Sequence, residues 1–270
     1  MTAGILLGFG VGIVLGLTGA GGGILAVPAL VLGMGWTLQA ATPVALLAVG
    51  MSASLGALDG LRKGLVRWRA GLLVAGLGLL CAPVGVNAAK HLPQPALLTM
   101  FATLMLFIAY RLLKQYRESR TSVEPTQPDG VFEKSCMLNP GTGRLTWTKR
   151  CAATLSCVGS LSGLLTGMLG VGGGFFIVPA FKQWTDLRVH GIVATSLFVI
   201  AMVSLGATTS ALLTGPSMSH VGMMFVCSAM GGMVAGRLVS PRLPASVLQT
   251  GFALLAIGVA VVLLLHTWIA

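Results

Sequence analysis

Acidic residues are almost missing from this chain. Asp and Glu number six against 17 Lys and Arg, and charged residues make up only 9% of the 270 residues. Soluble domains carry about 25% charged residues, so a water-soluble globular fold is excluded at the outset. Inside the apolar runs only Asp59 comes near membrane depth, and it stands at a run's end. Proton relays and cation sites within a membrane normally rest on Asp or Glu, so a cation pathway is disfavoured. Cysteine is sparse too. Cys81, Cys136, Cys151, Cys157 and Cys227 include no C-x-x-C pair. Neither a disulfide framework nor a zinc site is expected, and Cys81 and Cys227 read as buried structural thiols. No Ser/His/Asp set and no cluster of metal ligands is visible, which argues against an enzyme and against a metal or other cofactor. Met1–Gly4 lacks a basic n-region and no cleavage site follows, so no secretory signal peptide is expected.

What remains is apolar. Hydrophobic residues form 55% of the chain, and glycine is abundant at 38 residues. The runs are 3–36, Ala40–Leu58, Ala70–Ala89, Leu92–Tyr110, Ala152–Trp184, Gly191–Leu213, Val221–Gly236 and Ala245–Trp268. Each reads as a membrane element, which makes the lipid bilayer the first partner. The net charge of +11 comes from basic residues in short loops, a sign of membrane topology and not of nucleic-acid binding. One such loop holds Arg62, Lys63, Arg67 and Arg69, with Trp68 placed as an interfacial anchor. His91, His190, His220 and His266 stand at run ends as interfacial residues, and the methionines read as packing. Residues 111–150 are the one polar stretch, rich in Pro, Ser, Thr and charge, and read as an exposed linker dispensable for transport. The expected organisation is a first repeat over 1–113, a cytoplasmic linker over 114–150 and a second repeat over 151–270.

The repeat rests on one stretch written twice. Residues 19–30 read GAGGGILAVPAL and residues 170–181 read GVGGGFFIVPAF, with Pro28 and Pro179 separated by 151. Each glycine costs a helix interior about 1 kcal/mol relative to alanine, so three in a row break the helix. Trp36 and Trp184 close their broken segments, and two weaker echoes follow. These are Ser54–Ala57 against Ser204–Ala207, and Ala41-Thr42-Pro43 against Ala194-Thr195-Ser196.

Charge then bears on topology. If all eight elements simply cross, 12 basic residues fall inside and 5 outside. If each broken element returns to the side it entered from, Lys182, Arg188, Arg237 and Arg242 join the cytoplasmic side and the count becomes 16 to 1. Basic short loops belong in the cytoplasm, so the second arrangement is preferred. Each half then crosses three times, an odd number, and the halves are inverted repeats. Arms of about 15 residues would be roughly 22 Å long and would meet partway.

Non-helical backbone at membrane depth needs partners. The free N–H groups of Gly21–Leu25 and Gly172–Phe176, at the positive ends of the following helices, suit a small anion. The expected substrate shell is therefore Gly21, Gly22, Gly23, Ile24, Gly172, Gly173, Gly174 and Phe175, with hydroxyls from Thr18, Thr42, Thr195 and Ser196. Ser52, Ser54 and Ser204 lie further along. Pro28 and Pro179 read as structural residues that fix helix starts. The competing reading gives the glycines a packing role only.

The duplicated GxGGGxxxVPxL/F element, with the Ala-Thr-Ser-like start at Ala194-Thr195-Ser196, resembles the sulfite exporter TauE/SafE family over essentially the whole chain apart from the linker. Pro43, where the second half has Ser196, departs from the pattern. The resemblance implies an inner (plasma) membrane permease for sulfite, sulfoacetate or other sulfonates, acting as a monomer or a homodimer. The combined expectation is an all-α polytopic membrane protein of about eight transmembrane or re-entrant elements in two homologous four-element halves. It carries a small anion by alternating access, and a passive channel or a non-transporting assembly factor is the alternative.

Overall fold

The computed structural model describes residues 2–19, 22–121, 136, 148–185, 189–214, 219–240 and 245–269. Among them the chain forms ten α-helices and no strand. The first broken run gives α1 (Thr2–Thr18), a 3-10 turn at Gly22–Leu25 and α2 (Ala26–Met34). Next come α3 (Leu38–Arg62), α4 (Trp68–His91) and α5 (Gln94–Thr121). The second half gives α6 (Lys149–Leu169), α7 (Gly174–Trp184), α8 (Val189–Thr214), α9 (His220–Val239) and α10 (Ala245–Ile269). Eight expected elements become ten helices because each glycine run splits its segment. Seven helices, α3 to α6 and α8 to α10, are long and apolar enough to cross a membrane. Helix α5 continues to Thr121, past the expected boundary at residue 113. Most of the linker, and Gly21, lie outside the described residues.

Local chemistry accounts for the ends. Thr37 caps α3 by accepting from the Ala40 N–H, and Ser219 caps α9 by accepting from Val221; both satisfy free N–H groups of a first turn. Gly35 and Gly170 close α2 and α6 in the left-handed conformation. Pro28 sits in the first turn of α2, as expected. Pro179 does not mark a start: it is the sixth residue of α7, beyond the turn where proline is tolerated at no cost.

Both broken segments are hairpins. A Cβ on Gly22 would collide with the Leu15 backbone, one on Gly33 with Leu7, and Gly4 faces Met34, so α2 runs back along α1. In the second half Gly173 packs on Ser162 and Thr166 of α6. Further down, the Cys136 N–H donates to the Trp184 carbonyl and Cys136 is disulfide-bonded to Cys151, which brings the end of α7 beside the start of α6. The arms are unequal, unlike the expected pair. α1 and α6 have 17 and 21 residues against 9 and 11 for α2 and α7. At 1.5 Å per residue α1 reaches about 25 Å, longer than the expected arm of roughly 22 Å.

The halves interleave. The densest packing runs between them: α1 on α9, α4 on α6, α3 on α8 and α5 on α10. Glycine stripes make the first two pairs possible. Gly8, Gly12 and Gly16 of α1 lie on the backbone of Phe225, Ala229 and Met233, and Gly159, Gly163 and Gly167 of α6 lie on Val74, Gly78 and Ala82. Small residues let membrane helices approach to backbone contact, where dispersion replaces the missing hydrophobic drive. These stripes are a packing signal that the sequence reading passed over.

A single offset of 151 relates the halves, since α3 and α8 start at Leu38 and Val189 and α5 and α10 at Gln94 and Ala245. The echoes at offsets of 150 and 153 are therefore not structural equivalents. Equivalent helices run antiparallel. Gly50, Gly56 and Gly60 of α3 face Ser204, Leu197 and Ala194 of α8 in reverse order, and Gln94 and Pro95 lie by His266 and Thr267.

Side chains such as Leu6, Leu80, Phe107, Leu254 and Trp268 face outward, leaving an apolar surface for lipid. Trp68 is exposed, with the Arg69 guanidinium 5.1 Å from its ring centre. The thiols depart from expectation: Cys227 is exposed, Cys81 half-buried, and Cys136 is paired with Cys151.

Candidate functional site

The two glycine breaks meet beside the middle of α3 and α8. A Cβ on Gly23 would lie 3.1 Å from the Val171 carbonyl oxygen and 3.0 Å from Val49. One on Gly172 would lie 2.8 Å from Val49, 3.3 Å from Ile200 and 3.0 Å from Ser204 Oγ. Val49 and Ile200 are 151 apart and stand near the middle of α3 and α8, so the two breaks pinch the centre of the antiparallel pair. Gly172 has φ +75°, a conformation that a side chain would strain, so glycine is required there twice over: for the turn and for the space.

The outer tips repeat one relationship. Gly19 abuts Val193 at 2.6 Å and Gly170 abuts Thr42 at 2.9 Å, measured from an added Cβ. Thr42 and Val193 are equivalent at the offset of 151, so the residue facing the tip carries a hydroxyl at Gly170 and none at Gly19.

The expected site residues separate into two groups. Gly22, Gly23, Ile24, Gly172, Gly173, Gly174 and Phe175 are buried around the meeting point. The hydroxyls are elsewhere. Thr18 donates to the Val14 carbonyl, Thr42 to Leu38 and Ser196 to Val193. Thr195 accepts from the Arg67 N–H in the loop after α3, at 3.0 Å. Short polar side chains in helices commonly bond back to the preceding turn in this way. Two serines break the habit. Ser52 and Ser204 are wholly buried, and their hydroxyls have no hydrogen-bond partner. Leaving a buried hydroxyl unpaired costs about 1–3 kcal/mol, so each asks for an explanation. Ser204 faces Gly172, which makes it the polar group of the meeting point.

A cavity of about 280 Å³ approaches this region from one end of the bundle. Leu38, Gln39, Thr42, Pro43, Lys90 and Leu97 line its walls, with Gly167 and Met168 beside the second tip. Lys90, the single basic residue that the charge count leaves outside, shares this cavity with Thr42, which abuts Gly170. At the opposite end of α3 stands an ion pair: Arg237 of α9 lies 3.0 Å from Asp59, which also holds Lys63 at 2.9 Å. The sequence reading used Arg237 for topology alone; the contact with Asp59 joins residues 178 positions apart and leaves no local pattern.

Two curated relatives from Xylella fastidiosa, strains Temecula1 and 9a5c, are each described as a probable membrane transporter protein. Each is 29% identical over 261 residues, covering 96% of this chain and 92% of its own. No solved structure matches this chain. The family model described as "Sulfite exporter TauE/SafE" matches residues 4–263, nearly the full length. With seven membrane-length helices and a match of that extent, the chain is a multi-pass membrane protein of the sulfite exporter TauE/SafE family, a family of membrane transporters.

Proposed function

We propose that the protein exports a small sulfur oxyanion or sulfonate across the inner (plasma) membrane by alternating access at the point where the two glycine breaks meet. The observation that carries this reading is Ser204, a buried hydroxyl without a partner facing Gly172 among Val49 and Ile200. A hydroxyl and free backbone N–H groups at the start of α7 are donors to an anion and offer a cation little. The sulfur chemistry and the outward direction follow the family description.

The rest of the mechanism follows from the same frame. The halves lie as inverted repeats, a reading supported by the antiparallel pairing of α3 with α8 and of α5 with α10. A cavity at one end and an ion pair at the other suit a carrier open to one side at a time. An ion or proton gradient drives the cycle.

The test is transport in proteoliposomes with radiolabelled sulfite, followed by thiosulfate, sulfoacetate and taurine. Ser204→Ala should cut flux at least tenfold while leaving the melting temperature unchanged or higher, because an unpaired hydroxyl is lost. Gly22→Leu and Gly173→Leu should abolish flux in protein that still inserts. Unlabelled sulfite on the far side should accelerate exchange; its failure to do so would make the protein a channel, and no flux of any compound would make it an assembly factor.

A further inference from the structure

The Asp59–Arg237 pair is built unevenly. Asp59 has two cations, Arg237 Nη2 at 3.0 Å and Lys63 Nζ at 2.9 Å, both on the same oxygen, Oδ2. Arg237 has the reverse condition: its Nη1 is buried and lacks any hydrogen-bond partner. That nitrogen sits in an apolar recess. The same Cβ added to Gly56 would lie 2.8 Å from Nη1, 2.9 Å from Leu197 and 3.0 Å from Met233. A charged donor left unpaired in such surroundings is more costly than a neutral one. Yet no hydrogen-bond acceptor among the described residues completes it.

The surroundings connect the pair to the first hairpin. The Arg237 backbone N–H packs on Gly16, and Ser240, three residues on, donates to the Leu17 carbonyl. Arg237 is thus anchored by its backbone on the end of α1, while its guanidinium reaches across to α3, at the end of the bundle opposite Lys90. The pair also breaks the internal symmetry. At the offset of 151, Asp59 corresponds to Ser210 and Arg237 to Val86, so the second half has neither charge. A device present at one end alone gives the two ends different chemistry.

We propose that Arg237 binds the transported anion at the inner end of the route, and that Asp59 is the internal competitor which the anion displaces. The inference rests on the transporter reading for its ligand class. An oxyanion offers paired acceptors that match the planar fork of a guanidinium, and it fills the vacancy at Nη1. Lys63 remains on Asp59, so the displaced carboxylate is never left without a cation. When the anion leaves, Asp59 returns to Arg237 and closes the end. Each state keeps its charges paired, and that lowers the cost of the exchange.

Purified protein in detergent tests this with sulfite as the probe, read by tryptophan fluorescence and by the ligand-induced rise in melting temperature. Asp59→Asn removes the competitor and should tighten sulfite binding about tenfold, with a larger melting shift than in the native protein. Arg237→Gln should weaken binding at least tenfold, Arg237→Lys should recover part of it, and Asp59→Asn combined with Arg237→Gln should show no gain. Monodisperse elution of each variant establishes that it is folded. A merely structural ion pair predicts instead that Asp59→Asn melts lower and binds sulfite no better, which would overturn the proposal, as would a native protein that does not bind sulfite. Flux separates the two readings. Binding through Arg237 with no transport refutes the carrier and leaves this site standing; native transport that survives Arg237→Gln refutes the site and leaves the carrier.

Discussion

The Ser240 hydroxyl donates to the Leu17 carbonyl across 3.2 Å, joining the end of α9 to the last turn of α1 in the other half. The final carbonyls of a helix have no partner within it, so this contact satisfies a group that would otherwise be left over. Ser240→Ala should lower stability by about 1 kcal/mol. In a chain of this size that is a fall of roughly 2–4 °C in melting temperature. A melting curve identical to that of the native protein would mean that the tip is held by packing alone.

The glycine stripes make a sharper prediction about stability. A Cβ at Gly163 would collide with the Gly78 carbonyl, and one at Gly12 with that of Ala229. Gly163→Val and Gly12→Val should each cost about 1–3 kcal/mol or more, through overpacking at a backbone contact. Gly76 and Gly10 face open space, so Gly76→Ala and Gly10→Ala should be neutral or stabilise by up to about 1 kcal/mol. Thermal melting of the four purified variants checks the contrast, and equal effects within the set would undo the packing argument.

Hairpin and crossing differ in where Thr2 and Thr37 emerge. With Cys81, Cys157 and Cys227 replaced, single cysteines at these two positions should react with an impermeant maleimide from the same face of the membrane. A cysteine at Leu65, in the loop after α3, should react from the opposite face. Labelling of Thr2→Cys and Thr37→Cys from opposite faces would rule out the re-entrant first segment and, with it, the inverted arrangement.

How much of this was legible in the sequence depends on the scale of the feature. The break and its duplication were readable because Gly-Gly-Gly is rare within apolar runs and recurs at one fixed spacing. Charge placement favoured a return of each segment, since four basic residues fall on the cytoplasmic side only if the segments double back; the antiparallel run of α2 along α1 is in keeping with that reading. Partner choice was hidden. The stripe Gly8, Gly12, Gly16 is visible as small residues every four positions, yet nothing in it says that α9 and not α2 lies opposite. The hydroxyls misled for a related reason. Thr18, Thr42 and Ser196 stand next to the breaks but donate to their own helices. Ser52 and Ser204 look the same in sequence and differ only in three dimensions. The similarity of 41–43 to 194–196 likewise placed Thr195 opposite Thr42, where the fold puts Val193.

The interleaving of α1 with α9 and of α6 with α4 has a consequence for motion and for ancestry. No cut between the sequence halves passes through loose contacts, so the first half cannot rock as a body against the second. Any movement has to carry mixed bundles, each a hairpin together with the helix of the other half to which its glycines are fitted. For the same reason a half-length chain would expose a glycine-faced hairpin and a matching groove at once. Two copies of such a chain would close on each other by the contacts that this single chain makes with itself. Residues 1–121 and 148–270, made as separate polypeptides, are expected to assemble with each other when expressed together.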